Sequence, residues 1–229
     1  SCFPKDTLAL VKTGQDHDAP IRIVETVVQV NDLRKRAMGR KIVKALGGAT
    51  EVAEKHRVHD FIGTHGLGHA RMATESEVSP TASHPFWARP FADVAIVHNG
   101  QITDYFTWRA RLERKGYRFM TGNDSELLAV WISDRMSQGE SQDDALIRSL
   151  TEIDGVFTFL YSNLDRLGFA KDRWAIKPLV AVIGDESLSI ATEEQAVRTV
   201  HLDEVDVVNF DGPSLTRTWQ TNVTLDRAA

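Results

Sequence analysis

Histidines and glycines are concentrated in the middle of the sequence, where they could carry chemistry. Four histidines fall within 34 residues: His65, His69, His84 and His98. His65 and His69 are four residues apart, a spacing that can place two imidazoles on one face of a helix for a metal ion. Gly66 and Gly68 disfavour a helix there. A metal hydrolase is therefore one interpretation, and loop histidines without a metal are the commoner one.

Three further features suit a free α-amino acid. Arg71 follows the glycine-rich segment, and a guanidinium can hold a carboxylate through two parallel hydrogen bonds. Asn99 and Gly100 follow an apolar run, and a side-chain amide beside a backbone N–H can form an oxyanion hole. Asp124, at a predicted helix start, can hold an ammonium group. Taken singly, these residues are more often a surface ion pair, a hairpin turn and a helix cap. Together they meet the requirements of a site that attacks the side chain of an amino acid.

The predicted elements that position these residues are antiparallel strands and packed helices. Periodicity predicts strands over residues 21–30, 94–98, 156–161, 167–170, 179–183, 188–191 and 205–210. It predicts helices over residues 50–56, 104–115, 123–136 and 141–153, with Thr50, Asn123 or Asp124, and Ser141 as caps. The strand at 94–98 is expected to stop at a tight turn at Asn99-Gly100. This order of strands, helices and strands favours an α+β fold.

Composition excludes several classes of protein. The chain has 229 residues, of which 42% are hydrophobic and 26% charged, values typical of one large or two small globular domains. A net charge of −5 shows no basic excess of the kind that nucleic-acid binders carry, although residues 34–44 are locally basic. No apolar run approaches the roughly 18 residues of a membrane span, so a cytoplasmic location is expected. One cysteine allows no internal disulfide and no multi-cysteine zinc or iron–sulfur site.

Several motifs, in this order, resemble the class II glutamine amidotransferases, which are N-terminal-nucleophile hydrolases. The motifs are Gly68 to Thr74, His84-Pro85-Phe86, Val97 to Ile102, Asn123 to Glu126, Asp154 to Phe157, Ala170 to Leu179, and Ala191 to Glu194. The resemblance implies a four-layer αββα sandwich of antiparallel sheets, as a single domain over residues 1–229 that lacks the family's usual N-terminal segment. Within the family, Arg71 to Ser76 is most similar to the amidotransferase subunits of glutamate synthase and N-methylglutamate synthase type enzymes.

The resemblance also implies a role for each matched residue. Arg71 binds the α-carboxylate of glutamine, with Thr74 beside it, and Asp124 holds the α-ammonium. Asn99 and Gly100 stabilise the tetrahedral intermediate. His84 lies near the pocket at the family's His-Pro position, and His98 supports the Asn-Gly turn. Ser125 and Glu126 are interpreted as helix-start residues.

The N-terminus departs from the family pattern. Family members begin their mature chain with Cys-Gly-Ile and carry an Arg-Gly-Pro-Asp-type loop, and this sequence has neither. Cys2 is the lone cysteine and hence the candidate nucleophile, but Ser1 precedes it. Because the nucleophile's own α-amino group serves as its base, Cys2 is competent only once Ser1 is removed. We therefore expect little glutaminase activity while Ser1 is retained.

The function expected from the resemblance is that of a glutaminase subunit, which releases ammonia from glutamine for a partner synthase in a hetero-oligomer. No cofactor is expected in this chain, whereas FMN and iron–sulfur centres are expected in the partner. No nucleic acid and no membrane are expected as partners. The alternative is a non-catalytic glutamine-binding regulatory or scaffolding subunit that has lost its nucleophile.

Overall fold

The computed structural model describes residues 12–13, 17, 42–71, 78–87, 89–91, 93–201 and 204–220. The chain divides into two compact units, Ser1–Val43 and Lys44–Ala229, and nearly all described residues belong to the second. The strand predicted over 21–30 lies outside the described residues, as does the basic segment 34–44 up to residue 41. None of the helices in the described part is long and apolar enough to cross a membrane.

The second unit is built from short helices and antiparallel strands. In chain order the described elements are α1 (Ala49–Lys55), β1 (Ala95–Ile102), α2 (Tyr105–Arg114), α3 (Asp124–Ser137), α4 (Gln142–Glu152), β2 (Gly155–Ser162), β3 (Arg166–Lys171), β4 (Val180–Ile183), β5 (Leu188–Ala191), α5 (Glu194–Thr199), β6 (Val208–Asn209) and β7 (Leu215–Gln220), with a 3-10 turn at Val58–Asp60.

The three central helices begin and end where the sequence predicts. The Asn123 side chain accepts a hydrogen bond from the Ser125 N–H at 2.8 Å and so caps α3. Ser141 caps α4 by accepting from the Asp144 N–H at 3.1 Å, while its hydroxyl donates to the Asp144 carboxylate at 2.6 Å. Gly116, with φ +94°, follows α2 and ends it. These predictions are confirmed.

The first sheet has the strand order β1-β2-β3-β7, with β1 at its edge. β1 pairs with β2 without a break from Ala95 opposite Ser162 to Ile102 opposite Gly155. One face of this sheet carries the apolar side chains of Ile96, Phe157, Phe159 and Tyr161, which pack against α3. Because α3 also contacts α2 and α4, its residues 127–132 are buried on every side.

The opposite face of the first sheet meets a second, three-stranded sheet in the order β5-β4-β6. Phe169 of β3 packs against Phe210, the residue directly after β6, with ring centroids 4.8 Å apart. The second sheet packs its own apolar side chains against Val197 of α5. Helices, sheet, sheet and helix thus form successive layers. The α+β class with antiparallel sheets is confirmed.

The predicted turn at Asn99-Gly100 is wrong. β1 continues through both residues, because Asn99 pairs with Thr158 and Gly100 with Phe157. The chain leaves the strand after Ile102, where the Thr103 N–H donates to the Asp154 carbonyl at 2.9 Å. The local preference of Asn-Gly for a turn is outweighed by the pairing of β1 with β2, in which eight residues of each strand lie opposite each other.

Smaller differences concern α1 and the C-terminal part of the described chain. Gly48 and not Thr50 is the N-cap of α1, and no side chain caps that helix. The strand predicted over 205–210 is limited to Val208–Asn209. The sequence analysis did not predict α5 or β7, although the Thr and Trp residues of β7 are typical of strands.

A buried aspartate holds the loop between β3 and β4. Asp172 is 2% exposed, and one carboxylate oxygen accepts from the Phe157 N–H at 2.7 Å. The other oxygen accepts from the N–H groups of Trp174 and Ala175. This arrangement holds Ala175 at φ +55°, in the left-handed region that a side chain disfavours.

We predict that Ala175→Gly stabilises the protein by up to about 1 kcal/mol. Glycine removes the strain of an alanine in the left-handed region, which stabilises the folded state by roughly 1–2 kcal/mol. The greater conformational freedom of glycine in the unfolded chain offsets about 0.4–1 kcal/mol of that stabilisation. The backbone N–H that Asp172 binds is kept. Urea unfolding measures the change, with the exposed helical residue Ala110 replaced by glycine as a control that should lose about 1 kcal/mol. Equal destabilisation by both substitutions would contradict the prediction.

Candidate functional site

The candidate site lies along the edge of β1 that faces away from β2. Phe86 and Ile96 exchange two backbone hydrogen bonds across that edge, at 2.9 and 2.8 Å. The polar groups of Ile96 therefore point away from β2, and a strand repeats its orientation every second residue. His98, Gly100 and Ile102 consequently direct their backbone N–H and C=O groups outward from the sheet.

Side chains satisfy the outward groups on either side of Gly100. The His98 carbonyl accepts from His69 Nε2 at 3.1 Å. The Ile102 N–H donates to Asp124 Oδ2 at 3.1 Å. Between them the Gly100 N–H points outward by the same alternation. Its position suits the binding of an anionic oxygen at the edge of the sheet.

Gly100 is required here because the two strands approach each other closely. Its φ is +144°, and a Cβ built on it would lie 1.9 Å from the Val156 carbonyl oxygen and 2.8 Å from Phe157 Cα. Both contacts are with backbone, which cannot move aside as the end of a flexible side chain can. The neighbouring Asn99 is half-buried, and its position in the pleat places it on the face opposite His98.

The N-terminus of α3 supplies the acidic part of the site. Asp124 is the first helical residue, after the cap Asn123, and its side chain is 27% exposed. Glu126, 5% exposed, accepts from the N–H groups of Met120 and Thr121 at 2.6 and 2.7 Å and so fixes the preceding loop. Asp124 thus keeps its place at a helix N-terminus, where a negative charge is stabilised.

Three histidines pack beside this helix start. The rings of His69 and His84 stack with centroids 3.8 Å apart. His84 Nε2 and His98 Nδ1 each lie 2.9 Å from the Ser125 hydroxyl oxygen. His98 Nδ1 is also 3.8 Å from Asp124 Oδ1. Imidazoles, hydroxyl and carboxylate therefore form one connected group.

Burial keeps the two inner histidines neutral. Loss of solvent lowers the pKa of His84 to about 2. Four basic neighbours, His69, His98, Arg71 and Lys44, also lower the pKa of His84. Burial also lowers the pKa of His98, although the Asp124 carboxylate opposes this shift. The half-buried Arg71 also lowers the pKa of His69, so its guanidinium acts on both rings of the stack.

The structure brings together most of the residues that the sequence predicts. Asp124 bonds to β1, which carries Asn99 and Gly100, and His84 shares the Ser125 hydroxyl with His98 of β1. Arg71 acts electrostatically on His69 and His84. Cys2 and Thr74 lie outside the described residues. Their predicted roles, like the specific roles of the described residues, stay predictions.

Two interpretations of individual side chains were incomplete or wrong. His98 supports no Asn-Gly turn, because the chain does not turn there; its ring contacts Ser125 instead. Ser125 is more than a helix-start residue, since its hydroxyl lies between two imidazoles. Sequence reasoning missed this because His84, His98 and Ser125 are distant in the chain.

The structure separates the two histidines that suggested a metal site. His65 Nε2 donates to the Asn163 carbonyl at 2.7 Å, whereas His69 contacts His84 and His98. Among the residues that the structure describes, no three His, Cys, Asp or Glu side chains are grouped to hold a metal ion.

Comparison with known proteins identifies relatives of this site. Residues 69–199 match the family model of the glutamine amidotransferase domain. A Methanothermobacter thermautotrophicus protein with a provisional glutamine amidotransferase name is 37% identical over 160 residues, 70% of this chain and 52% of its own. The glutamine amidotransferase-like protein GlxB of Rhizobium meliloti is 32% identical over 204 residues, 88% of this chain and 66% of its own. The chain spans about half to two thirds of the length of these relatives.

A solved structure shares the fold. Glutamine phosphoribosylpyrophosphate amidotransferase from B. subtilis, complexed with ADP and GMP, matches with a TM-score of 0.50 and 23% identity. The match covers 66% of this chain and 34% of that one. At this identity the likeness concerns the fold alone.

A second kind of relative matches a shorter stretch. UDP-glucose 6-dehydrogenase of Rhizobium meliloti is 77% identical over 48 residues, which are 21% of this chain and 11% of that protein.

We predict that Gly100→Ala destabilises the protein by about 3 kcal/mol or more, because a methyl group cannot fit against the Val156 carbonyl without moving β1 from β2. Gly116→Ala is the matched control. It shares a positive φ, +94°, but no atom lies within 4 Å of its added Cβ. Its cost should be about 1 kcal/mol. Urea unfolding compares the two, and equal losses would show that β1 and β2 do not approach as closely as described.

Proposed function

Since the chain belongs to the glutamine amidotransferase family through residues 69–199, more than half of its length, we propose that it binds glutamine and hydrolyses the side-chain amide to glutamate and ammonia. The observation that carries the proposal is the edge of β1. There an outward N–H at Gly100 lies two residues from the Ile102 N–H that holds Asp124. Two strand residues span about 7 Å, a length comparable with an extended glutamine.

Each end of the substrate has a complementary group at this edge. Asp124 binds the α-ammonium through its partly exposed carboxylate. Arg71 binds the α-carboxylate, near the His69–His84 stack. The γ-carbonyl oxygen lies at Gly100, where the backbone N–H and the Asn99 amide are the donors. Because His84 and His98 are neutral, they add no charge that competes with these contacts.

The reaction requires a nucleophile to attack the γ-carbonyl carbon. A cysteine thiolate forms a tetrahedral intermediate whose oxygen is stabilised by Gly100 and Asn99. Collapse expels ammonia and leaves a γ-glutamyl thioester. Water then attacks the thioester, releases glutamate and restores the thiol. We assign the nucleophile to Cys2 on chemical type, with its α-amine as the base once Ser1 is removed.

The ammonia passes to a synthase partner in this proposal. The similarity of Arg71 to Ser76 to subunits of glutamate synthase and N-methylglutamate synthase type enzymes supports that class of partner, which would supply FMN and iron–sulfur centres. This chain itself needs no cofactor for amide hydrolysis. The match to 11% of a UDP-glucose 6-dehydrogenase is too short a part of that protein to support dehydrogenase activity.

A second candidate function is a glutamine-binding regulatory or scaffolding subunit. The pocket residues Arg71, Asp124 and Gly100 serve binding in both cases. The observation that favours this candidate is that Cys2 lies outside residues 69–199, the part of the chain that matches the family model. The two functions differ in whether glutamate is released.

We predict that Asp124→Asn weakens glutamine binding by at least about tenfold, because the amide still accepts from the Ile102 N–H but no longer offers a charge to the α-ammonium. Arg71→Lys should have a similar effect through loss of its planar fork. Titration calorimetry with glutamine measures both. Asp143→Asn, which removes a carboxylate paired with Arg166 at 2.8 Å, is the control and should bind as the unmodified protein does. Failure of the unmodified protein to bind glutamine would contradict the proposed function.

We predict that glutamate release depends on the N-terminus. With Ser1 retained, the chain should release little glutamate from glutamine; with Ser1 removed, release should rise and should vanish on Cys2→Ala. The Ser1-removed chain is compared with its Cys2→Ala form in a coupled glutamate assay. Glutamine binding without glutamate release in every form would favour the regulatory subunit.

A further inference from the structure

The Ser125 hydroxyl is a buried group that the proposed chemistry does not use. It is within 2.9 Å of His84 Nε2 and of His98 Nδ1, and Ser125 is only 2% exposed. The two imidazoles are 8% and 4% exposed. In the described part of the chain, their outer nitrogens, His84 Nδ1 and His98 Nε2, are buried without a hydrogen-bond partner.

Counting protons restricts how this group can be arranged. Each neutral imidazole carries one N–H, and a serine hydroxyl has one proton to donate. The hydroxyl can therefore donate to only one of the two ring nitrogens, and at least one ring must donate to it. Ser125 is also 3.5 Å from Asp124 Oδ1, longer than its two contacts with histidine.

The position of Asp124 selects one arrangement. An unprotonated His98 Nδ1 would direct its lone pair towards the carboxylate oxygen 3.8 Å away, which is unfavourable. A proton on His98 Nδ1 instead donates to Ser125 and faces the carboxylate. The Ser125 proton is then free for His84 Nε2, the shorter of its two remaining acceptors. Both rings then carry their proton on Nδ1.

His69 extends the same group. A carbonyl oxygen can only accept, so His69 must carry a proton on Nε2 to contact the His98 carbonyl at 3.1 Å. The backbone of His98 is thereby held from one side and its ring from the other. Its neighbours in β1 are Asn99 and Gly100, and the residue beside Ser125 in α3 is Asp124.

We propose that Ser125 is a positioning residue, whose hydroxyl relays hydrogen bonds in one direction, from His98 Nδ1–H to Ser125 and from Ser125 to His84 Nε2. The relay locks both rings as Nδ1–H tautomers and joins the start of α3 to the edge of β1. Asp124 and the Gly100 N–H are thus held at a fixed separation. The part of the proposal that concerns glutamine rests on the proposed function, whereas the tautomers do not.

Histidine side-chain nitrogen NMR tests the relay directly, because nitrogen shifts distinguish the two tautomers of a neutral ring. The full chain is labelled in its histidines, and the signals are assigned with His84→Gln and His98→Gln. We expect Nδ1–H for both rings at neutral pH. Ser125→Ala should leave His84 in a mixture of tautomers, whereas His98 should keep Nδ1–H because Asp124 still faces it. Ser125→Thr, which keeps the hydroxyl, should restore Nδ1–H at His84. An Nε2–H tautomer at His98 in the unmodified chain, or an unchanged His84 tautomer in Ser125→Ala, would overturn the relay.

Glutamine calorimetry on the same variants tests the positioning role. Ser125→Ala should weaken binding by about 3–10-fold, the usual effect of a lost hydrogen bond, and Ser125→Thr should recover most of it. Ser149→Ala removes another fully buried hydroxyl, which bonds within α4 to the Leu146 carbonyl. Ser149→Ala should leave glutamine binding unchanged and lower the melting temperature of the protein. Equal glutamine affinity in the two alanine variants would reduce Ser125 to a structural role and overturn the proposal.

The two hypotheses fail separately. If the unmodified chain does not bind glutamine, the proposed function is wrong, and the tautomer measurement still decides the relay. If glutamine binds but the tautomers are not locked, the proposed function stands and the relay does not.

Discussion

The hydrogen bond from the Ile102 N–H to the Asp124 carboxylate is the constraint on which the site depends. It joins the end of an edge strand to the first residue of a buried helix, at 3.1 Å. The strand cannot shift along β2, because at Gly100 the two backbones approach too closely for a side chain. The helix cannot shift either, because its residues 127–132 are buried on all sides. Asp124 and the outward N–H of Gly100 are therefore separated by a distance that two rigid elements set.

Burial of the histidines has an electrostatic consequence for this arrangement. An imidazolium beside Asp124 would neutralise part of the carboxylate and compete with any ammonium group. Desolvation instead lowers the pKa values of His84 and His98. No imidazolium therefore competes for the Asp124 carboxylate, and Arg71 and Lys44 are basic neighbours of His84. A carboxylate and basic groups beside the same histidines suit the α-ammonium and α-carboxylate of an amino acid, which are bonded to one carbon.

Sequence reasoning located the elements with strong local signals and failed where tertiary contacts decide. The caps at Asn123 and Ser141 and the glycine after α2 were predictable, because each acts on its own turn of helix. The continuation of β1 through Asn99-Gly100 was not, since it depends on pairing with residues more than 50 positions later. Likewise, Arg71, Asp124 and Gly100 were found by chemical type, whereas Ser125 acquires its role only when the fold brings His84 and His98 to it.

Binding and catalysis are assigned to different parts of this chain. Arg71, Asn99, Gly100 and Asp124 all fall within the family match at 69–199, and the last three lie on β1 and α3, which share one core. The candidate nucleophile, Cys2, lies outside that match. In the proposed function, recognition of glutamine depends on Arg71, Gly100 and Asp124, whereas the chemical step depends in addition on Cys2.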